Sequence, residues 1–273
     1  MPSATQSPAA GSRLYLRLAE SSFSFARYDG AQAERFTFSY FPFQARTSLT
    51  LNLRDACLSD PVVTQQSIAA TTVIAVGPVT PVPLAEFQEE DCATFYNYLF
   101  PSSTRRRIFY DVLKPANCVL IFALPAQTCH TLEDAFPNVR YVSHQTAILK
   151  HFAHKAEAGT RKSLFAYVHE DTLDIAIFED RHLLTQNTFV VHASTDAAYY
   201  ILNLARQVAA DPERDAIFVA GGTEERHNVI TEMKKYTPSV FPINPGAEYN
   251  RHPVATRQGV PYDLTALLLD ISR

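Results

Sequence analysis

The sequence predicts an α/β chain made of two copies of one module, on three observations. The stretch "LYLRLAESSFSFARYDG" from Leu14 and the stretch "LFAYVHEDTLDIAIFED" from Leu164 share one apolar–polar rhythm. With a shift of 150 positions, Tyr15 falls on Phe165, Leu18 on Val168, Glu20 on Glu170, Phe23 on Leu173, Phe25 on Ile175 and Tyr28 on Phe178. Strand side chains alternate with a period of two, so the matched apolar residues lie on the same side in both copies. Each hairpin is followed by a third strand and a helix, and each copy then reaches an apolar strand ended by glycine, "VIAVG" or "IFVAGG". Agreement at several levels points to duplication.

The elements follow in order. Leu14–Leu18 and Phe23–Tyr28 alternate around the turn "AESS", and Asp29–Gly30 turns the chain into a third strand at Arg35–Phe43. Leu49, Leu53 and Ala56 recur at helical spacing within Ser48–Ser59. Thr71–Gly77 reads as a buried strand, and "GPVTPVPLAEF" as an extended proline-rich spacer. A helix is expected at Glu86–Leu99 with Phe87, Cys92, Phe95 and Leu99 on one face. Strands at Arg107–Val112, Cys118–Leu124 and Val139–Ser143 and helices at Ala126–Ala135 and up to Glu157 complete the first half.

The charged, glycine-bearing segment "HKAEAGTRK" marks the best boundary. Beyond it come strands at Ser163–His169, Thr172–Glu179 and Leu183–His192 and a helix at Asp196–Ala210 striped by Ala198, Ile201, Leu202, Ala205 and Val208. The strand "AIFVAGG", a helix at Glu224–Tyr236, the strand "SVFPI" and a last helix at Leu264–Ile271 follow. The expected organisation is a flexible tail at 1–12, a first domain at 13–158 with an inserted segment at about 78–105, and a second domain at 159–273 with a C-terminal arm and helix.

The bulk composition narrows the function classes. Of 273 residues, 47% are hydrophobic and 19% charged, a globular balance. A net charge of −4 argues against a nucleic-acid binder, and Arg105–Arg107 reads as a solvated start to a strand. The four cysteines form no metal-ligand or disulfide pattern, which suits reduced thiols in the cytoplasm. No apolar run is long enough for a membrane-inserting helix.

The strand and helix order resembles the ribonuclease H-like domain, and two in tandem resemble the actin, Hsp70 and sugar-kinase superfamily. "PLAEFQEEDCATFYNYLF" and "NPGAEYNRHPVATRQGVPYDLTALLL" look like an uncharacterised bacterial family, typical of Bacteroidetes, with an actin-like ATPase fold. The resemblance implies mixed sheets flanked by helices and two domains facing an ATP cleft. It also implies three places where ATP chemistry is read: the first hairpin turn of each domain and a diglycine after the fourth strand of the second.

Glycine in such a turn lets backbone N–H groups approach phosphate oxygens. Here the turns are "LAESSF" and "VHEDTL", and neither has one. Ser21 and Ser22 could donate to a phosphate. Glu170 and Asp171 would repel a triphosphate unless Mg²⁺ lay between. Arg17 stands near where the superfamily places an acidic metal-handling residue. Gly221 and Gly222 match the diglycine, with Thr223 as the expected helix N-cap. The cofactor-binding candidates are thus Gly221, Gly222, Thr223, Ser21 and Ser22. The same glycines also serve as an ordinary strand-to-helix turn.

Other groups carry less. His144, His151 and His154 read as satisfied surface histidines, and Cys129–His130 as neighbours that point apart on a helix. Glu20, Asp174 and Asp215 are the nominal carboxylates for a nuclease of this fold. In Asn244–Asp263 the polar residues either pin a C-terminal arm to the body or, through Arg251, read an anion. The resulting expectation is a non-hydrolysing scaffold or adaptor that binds another protein, as adaptor proteins of secretion and pilus machines do within the superfamily. It has no catalytic residue and no resident metal. The alternative is an ATP- and Mg²⁺-binding ATPase or phosphotransferase with degenerate phosphate loops.

Overall fold

The computed structural model describes residues 12–28, 36–64, 67–156, 158–159, 161–211 and 213–270. The tail and the Asp29–Gly30 turn lie outside the described residues, apart from Ser12. The first half runs β1 (Ser12–Leu18), β2 (Ser22–Arg27), β3 (Thr37–Pro42), α1 (Leu49–Ser59), α2 (Pro61–Thr64), β4 (Ile68–Ala75), β5 (Val79–Pro83), α3 (Cys92–Leu99), β6 (Arg106–Leu113), β7 (Cys118–Pro125), α4 (Ala126–Ala135) and β8 (Val139–Ser143). The second runs α5 (His144–Lys155), β9 (Lys162–His169), β10 (Thr172–Glu179), β11 (His182–Val190), α6 (Ser194–Gln207), β12 (Ala216–Gly221), α7 (Thr223–Met233), β13 (Val240–Pro242), α8 (Pro245–Glu248), α9 (Pro253–Thr256) and α10 (Tyr262–Asp270).

One five-stranded sheet has the order β3-β2-β1-β4-β8, and the other has the order β11-β10-β9-β12-β13. Position for position, these are the same mixed topology. Leu18 pairs with Phe23 and Leu16 with Phe25, as Val168 pairs with Leu173 and Ala166 with Ile175. The shift of 150 residues is therefore a shared hairpin register. The glycine-ended strands do not share theirs: Gly221 pairs with Val168, whereas Ala75 is the residue opposite Leu18. The fold is two tandem ribonuclease H-like domains of actin-like type.

The expected spacer is in part a strand. β5 pairs antiparallel with β7 in a three-stranded sheet ordered β5-β7-β6. Prolines 81 and 83 are tolerated because the strand lies at a sheet edge. On α3, Cys92 and Tyr96 are the buried residues, not Cys92, Phe95 and Leu99. The Tyr96 ring packs on Phe100 at 4.9 Å and its hydroxyl donates to the Pro78 carbonyl at 3.0 Å, which turns Phe95 and Leu99 outward.

The chain divides into two compact units that are not continuous in sequence. One contains 1–76, 104–107 and 124–142; the other contains 77–103, 108–123 and 143–273. In the second, β9 and β10 are buried along nearly their whole length. One face of their sheet, with Leu164, Ala166, Val168, Leu173, Ile175 and Ile177, packs against α6 and α7. The other face stacks Phe165 on Phe152 of α5 at 4.4 Å and on Phe218 at 5.2 Å, and brings Tyr167 to within 5.8 Å of Tyr262 on α10. Alternation normally sends every second residue to water. Here helices cover both faces, so the polar phase of the hairpin, including His169 and Asp174, is buried too. Among the described residues no helix is long and apolar enough to cross a membrane.

Candidate functional site: an acidic turn and a buried histidine–aspartate cluster

The second hairpin turns at Glu170 and Asp171, both exposed, with Glu170 at φ +52° in the left-handed region that glycine usually occupies. Gly221 ends β12 against this hairpin. Its φ is +137°, and an added Cβ would lie 2.5 Å from the Val168 carbonyl oxygen, so the strand pairing itself requires glycine there. Gly222 is the N-cap of α7, a role expected of Thr223, which is instead the first helical residue. Helix geometry decides this, since the Gly222 carbonyl already accepts from the Arg226 N–H at 3.0 Å. The atoms nearest a Cβ on Gly222 would be those of the Glu225 carboxylate, the first at 2.1 Å. Glu170, Asp171 and Glu225 border a hollow of about 250 Å³, with His192, Ser194 and Asn228 among its other walls.

Ser21 and Ser22 belong to the first unit, and Gly221, Gly222 and Thr223 to the second. Ser22 is buried, and only Ser21 of the pair is exposed. Arg17 is buried in β1.

The most concentrated chemistry in the second unit is a group that the sequence spacing does not disclose. His144 opens α5, His169 ends β9 and Asp174 lies in β10, and all three are buried. The Nε2 atoms of His144 and His169 lie 2.8 and 2.9 Å from the same oxygen, Asp174 Oδ2. The other oxygen, Oδ1, accepts from Gln145 Nε2 at 2.8 Å and from the Thr188 hydroxyl at 2.5 Å. Thr172 donates its hydroxyl proton to the His169 carbonyl at 2.8 Å and lies 3.1 Å from both ring nitrogens of that residue. Burial drives a carboxyl pKa up, but the attraction and hydrogen bonds of the two imidazoles outweigh it here and hold Asp174 well below the usual carboxylate range.

Two expectations are corrected by this cluster. His144 is a buried partner of Asp174, not a surface histidine, because the N-terminus of α5 packs over the polar phase of the hairpin. Asp174 is not part of a carboxylate cluster with Asp215, which sits at the opposite end of β9 and accepts from the backbone N–H groups of Lys162 (3.0 Å) and Asp211 (2.8 Å). Glu20 is exposed. One signal in the sequence could have found half the cluster: across a tight turn, His169 and Asp174 lie diagonally on one face. His144, 25 residues upstream of His169, has no such signal.

The C-terminal segment forms a second polar group. Glu248 accepts from His151 Nε2 at 2.9 Å and pairs with Lys155 Nζ at 2.7 Å, while Tyr249 Oη lies 3.2 Å from His151 Nδ1. These contacts hold α8 against α5, as a pinned arm requires. Arg251, the anion reader of the alternative reading, is exposed. Burial raises the Glu248 pKa, but hydrogen bonds and charge from His151 and Lys155 bring it below the ordinary value. A depressed folded-state pKa means stability that is present above the unfolded value, about 4.3, and lost as pH falls through the folded one. Glu248→Gln is expected to cost about 1–3 kcal/mol at neutral pH, with the difference from wild type shrinking below about pH 4. Urea unfolding at the two pH values measures both, and an equal loss at each would reject the ionic origin.

Cys129 is buried and its thiol pKa is raised by burial, while the neighbouring His130 is exposed and faces Asp134 at 3.7 Å. The pair does not form a nucleophile and base.

A Bacteroides thetaiotaomicron protein with actin-like ATPase fold and unknown function is similar to this chain over 98% of its length and 99% of the other, at 25% identity and a TM-score of 0.80. The PilM–PilN type IV pilus biogenesis complex contains a chain of similar fold, with a TM-score of 0.59 at 12% identity over 96% of this chain and 98% of that one. No curated protein matches the sequence. The resemblance read from the middle and C-terminal phrases is therefore upheld. With residues 3–240 matched by its profile, the chain belongs to the protein family of unknown function DUF3822.

Proposed function

We propose that this protein is a non-hydrolysing member of the actin-like fold that acts in the cytoplasm as a scaffold or adaptor for another protein. The observation that carries the reading is the acidic hollow of the second domain. Where a phosphate-binding turn offers glycine N–H groups, this turn offers Glu170 and Asp171, with the Glu225 carboxylate filling the space in front of Gly222. Three carboxylates repel a polyphosphate, and the diglycine that suggested a nucleotide site is accounted for by strand pairing and the start of α7. The four cysteines are free thiols, which suits a reducing compartment.

The inserted module supports a protein partner. Phe95, Tyr98 and Leu99 follow i, i+3, i+4 spacing on α3 and are 40%, 83% and 42% exposed. Large apolar side chains grouped on one exposed helix face are a common feature of protein-binding surfaces. A chain of similar fold is part of a protein–protein complex, the PilM–PilN type IV pilus biogenesis complex.

Isothermal titration with ATP, with and without Mg²⁺, tests the first half of the reading. No Mg²⁺-dependent binding and no phosphate release are expected at millimolar nucleotide. Tight, Mg²⁺-dependent binding with turnover refutes it in favour of an ATPase or phosphotransferase. In that case Gly222→Leu, whose Cβ first meets the Glu225 side chain, should abolish binding in a folded protein. For the second half, Tyr98→Glu with Leu99→Glu should remove a copurifying partner from native cells while leaving unfolding unchanged.

A further inference from the structure

We propose that His144, His169 and Asp174 form a binding site for one divalent transition-metal ion of the zinc class. Their donor atoms come from α5, β9 and β10 and all lie within 4.8 Å of one another, the one such group of three or more among the described residues. Two imidazoles and a carboxylate suit zinc, cobalt, nickel or ferrous iron better than magnesium or calcium, which take oxygen ligands. Bonds of about 2.0–2.1 Å to a common ion place ligand atoms roughly 3.3 Å apart. The two nitrogen–oxygen separations of 2.8 and 2.9 Å widen slightly to reach that spacing, and the two nitrogens, within 4.8 Å of each other, close toward it.

The surroundings are those of a ligand set with its supports. Gln145 and Thr188 hold Oδ1 of Asp174, which leaves Oδ2 to face both imidazoles. A second observation points to something further in the cluster. Gln145 is 1% exposed, yet its Oε1 has no hydrogen-bond donor. Three protein ligands leave a fourth position for water, and a metal-bound water supplies such a donor. The groups that contact Asp174 are imidazoles, an amide and a hydroxyl, with no lysine or arginine among the contacts to occupy the place between Oδ2 and the two Nε2 atoms. On binding, each Nε2 must present its lone pair to the ion, so a neutral imidazole carries its proton on Nδ1 and an imidazolium releases one proton to solvent.

The full chain, stripped with a chelator and dialysed, is titrated with Co²⁺ in weak buffer. One equivalent is expected to bind, with visible absorption bands of a four-coordinate nitrogen–oxygen site and displacement by Zn²⁺. His144→Gln and His169→Gln are each expected to weaken binding about 10–100-fold, the scale seen when a site loses a supporting interaction, or more. His151→Ala, at the separate Glu248 contact, is expected to leave it unchanged. X-ray absorption of the Co²⁺ form of the unaltered chain should show imidazole scattering, which keeps the test independent of whether the variants fold. Absence of Co²⁺ uptake by the folded wild type, absence of imidazole scattering, or uptake that survives in both folded histidine variants overturns the proposal and leaves the cluster joined by shared protons.

Discussion

Asp174→Ala is expected to destabilise the folded protein by about 3–5 kcal/mol, the scale for removing one member of a buried charged pair. The carboxylate accepts from two imidazoles, an amide and a hydroxyl. Its loss leaves three buried donors, His144, His169 and Gln145, without this acceptor, and each orphaned buried group costs about 1–3 kcal/mol before relaxation. The sign with pH follows from the depressed carboxyl pKa. Below its unfolded value, about 3.9, the unfolded chain binds a proton that the folded one refuses, so the contribution is present above that pH and fades beneath it. The gap between wild type and variant should therefore be full at pH 7 and narrow as the solution is acidified. Urea unfolding with chelator present measures the hydrogen-bonded cluster apart from any metal. A gap under about 1 kcal/mol at pH 7, the size of an ordinary surface effect, would show that the cluster does not hold α5 to the hairpin.

Phe165→Ala is expected to cost a further, independent 3–5 kcal/mol or so. Phe165 is 0% exposed and touches Phe152 at 4.4 Å, Phe218 at 5.2 Å and Phe178 at 5.8 Å, so its removal opens a void beneath α5 that rigid rings refill poorly. Phe165→Leu should lose much less. The reading is a lower urea midpoint with an unchanged slope, since the surface exposed on unfolding stays the same. A midpoint equal to wild type for Phe165→Ala would show that this aromatic stack is not a main support of the second unit.

These two residues also show where sequence reasoning was strong and where it was blind. Phe165 was legible: it alternates with Ala166, shares a face with Tyr167 and matches Tyr15 in the other copy, a register the pairing confirms. Asp174 lies on that same face, opposite Tyr167, and its residue type alone assigns it to solvent. Its burial depends on α5 covering the face, a non-local event. The same limit explains α3. Helical spacing marks Cys92, Phe95, Tyr96 and Leu99 as candidates for a buried face, but which of them pack is decided by where β7 and the Pro78 carbonyl lie. The prolines of 78–83 suggested a spacer because proline cannot donate a ladder bond, yet an edge position removes that objection.

Local chemistry in the chain was enough to determine the doubled module, the three-strand, helix, strand order that its two copies share, and the absence of glycine from both hairpin turns. Each depends on neighbours in sequence, through strand alternation, helical spacing and turn residue type. Tertiary structure alone decided that the polar phase of the second hairpin is sealed from water, that His144 reaches His169 and Asp174 across 25 and 30 residues, and that Glu248 returns to α5. Burial and convergence depend on which surfaces meet. That is a property of the packed sheet and its helices, for which residue spacing carries no code.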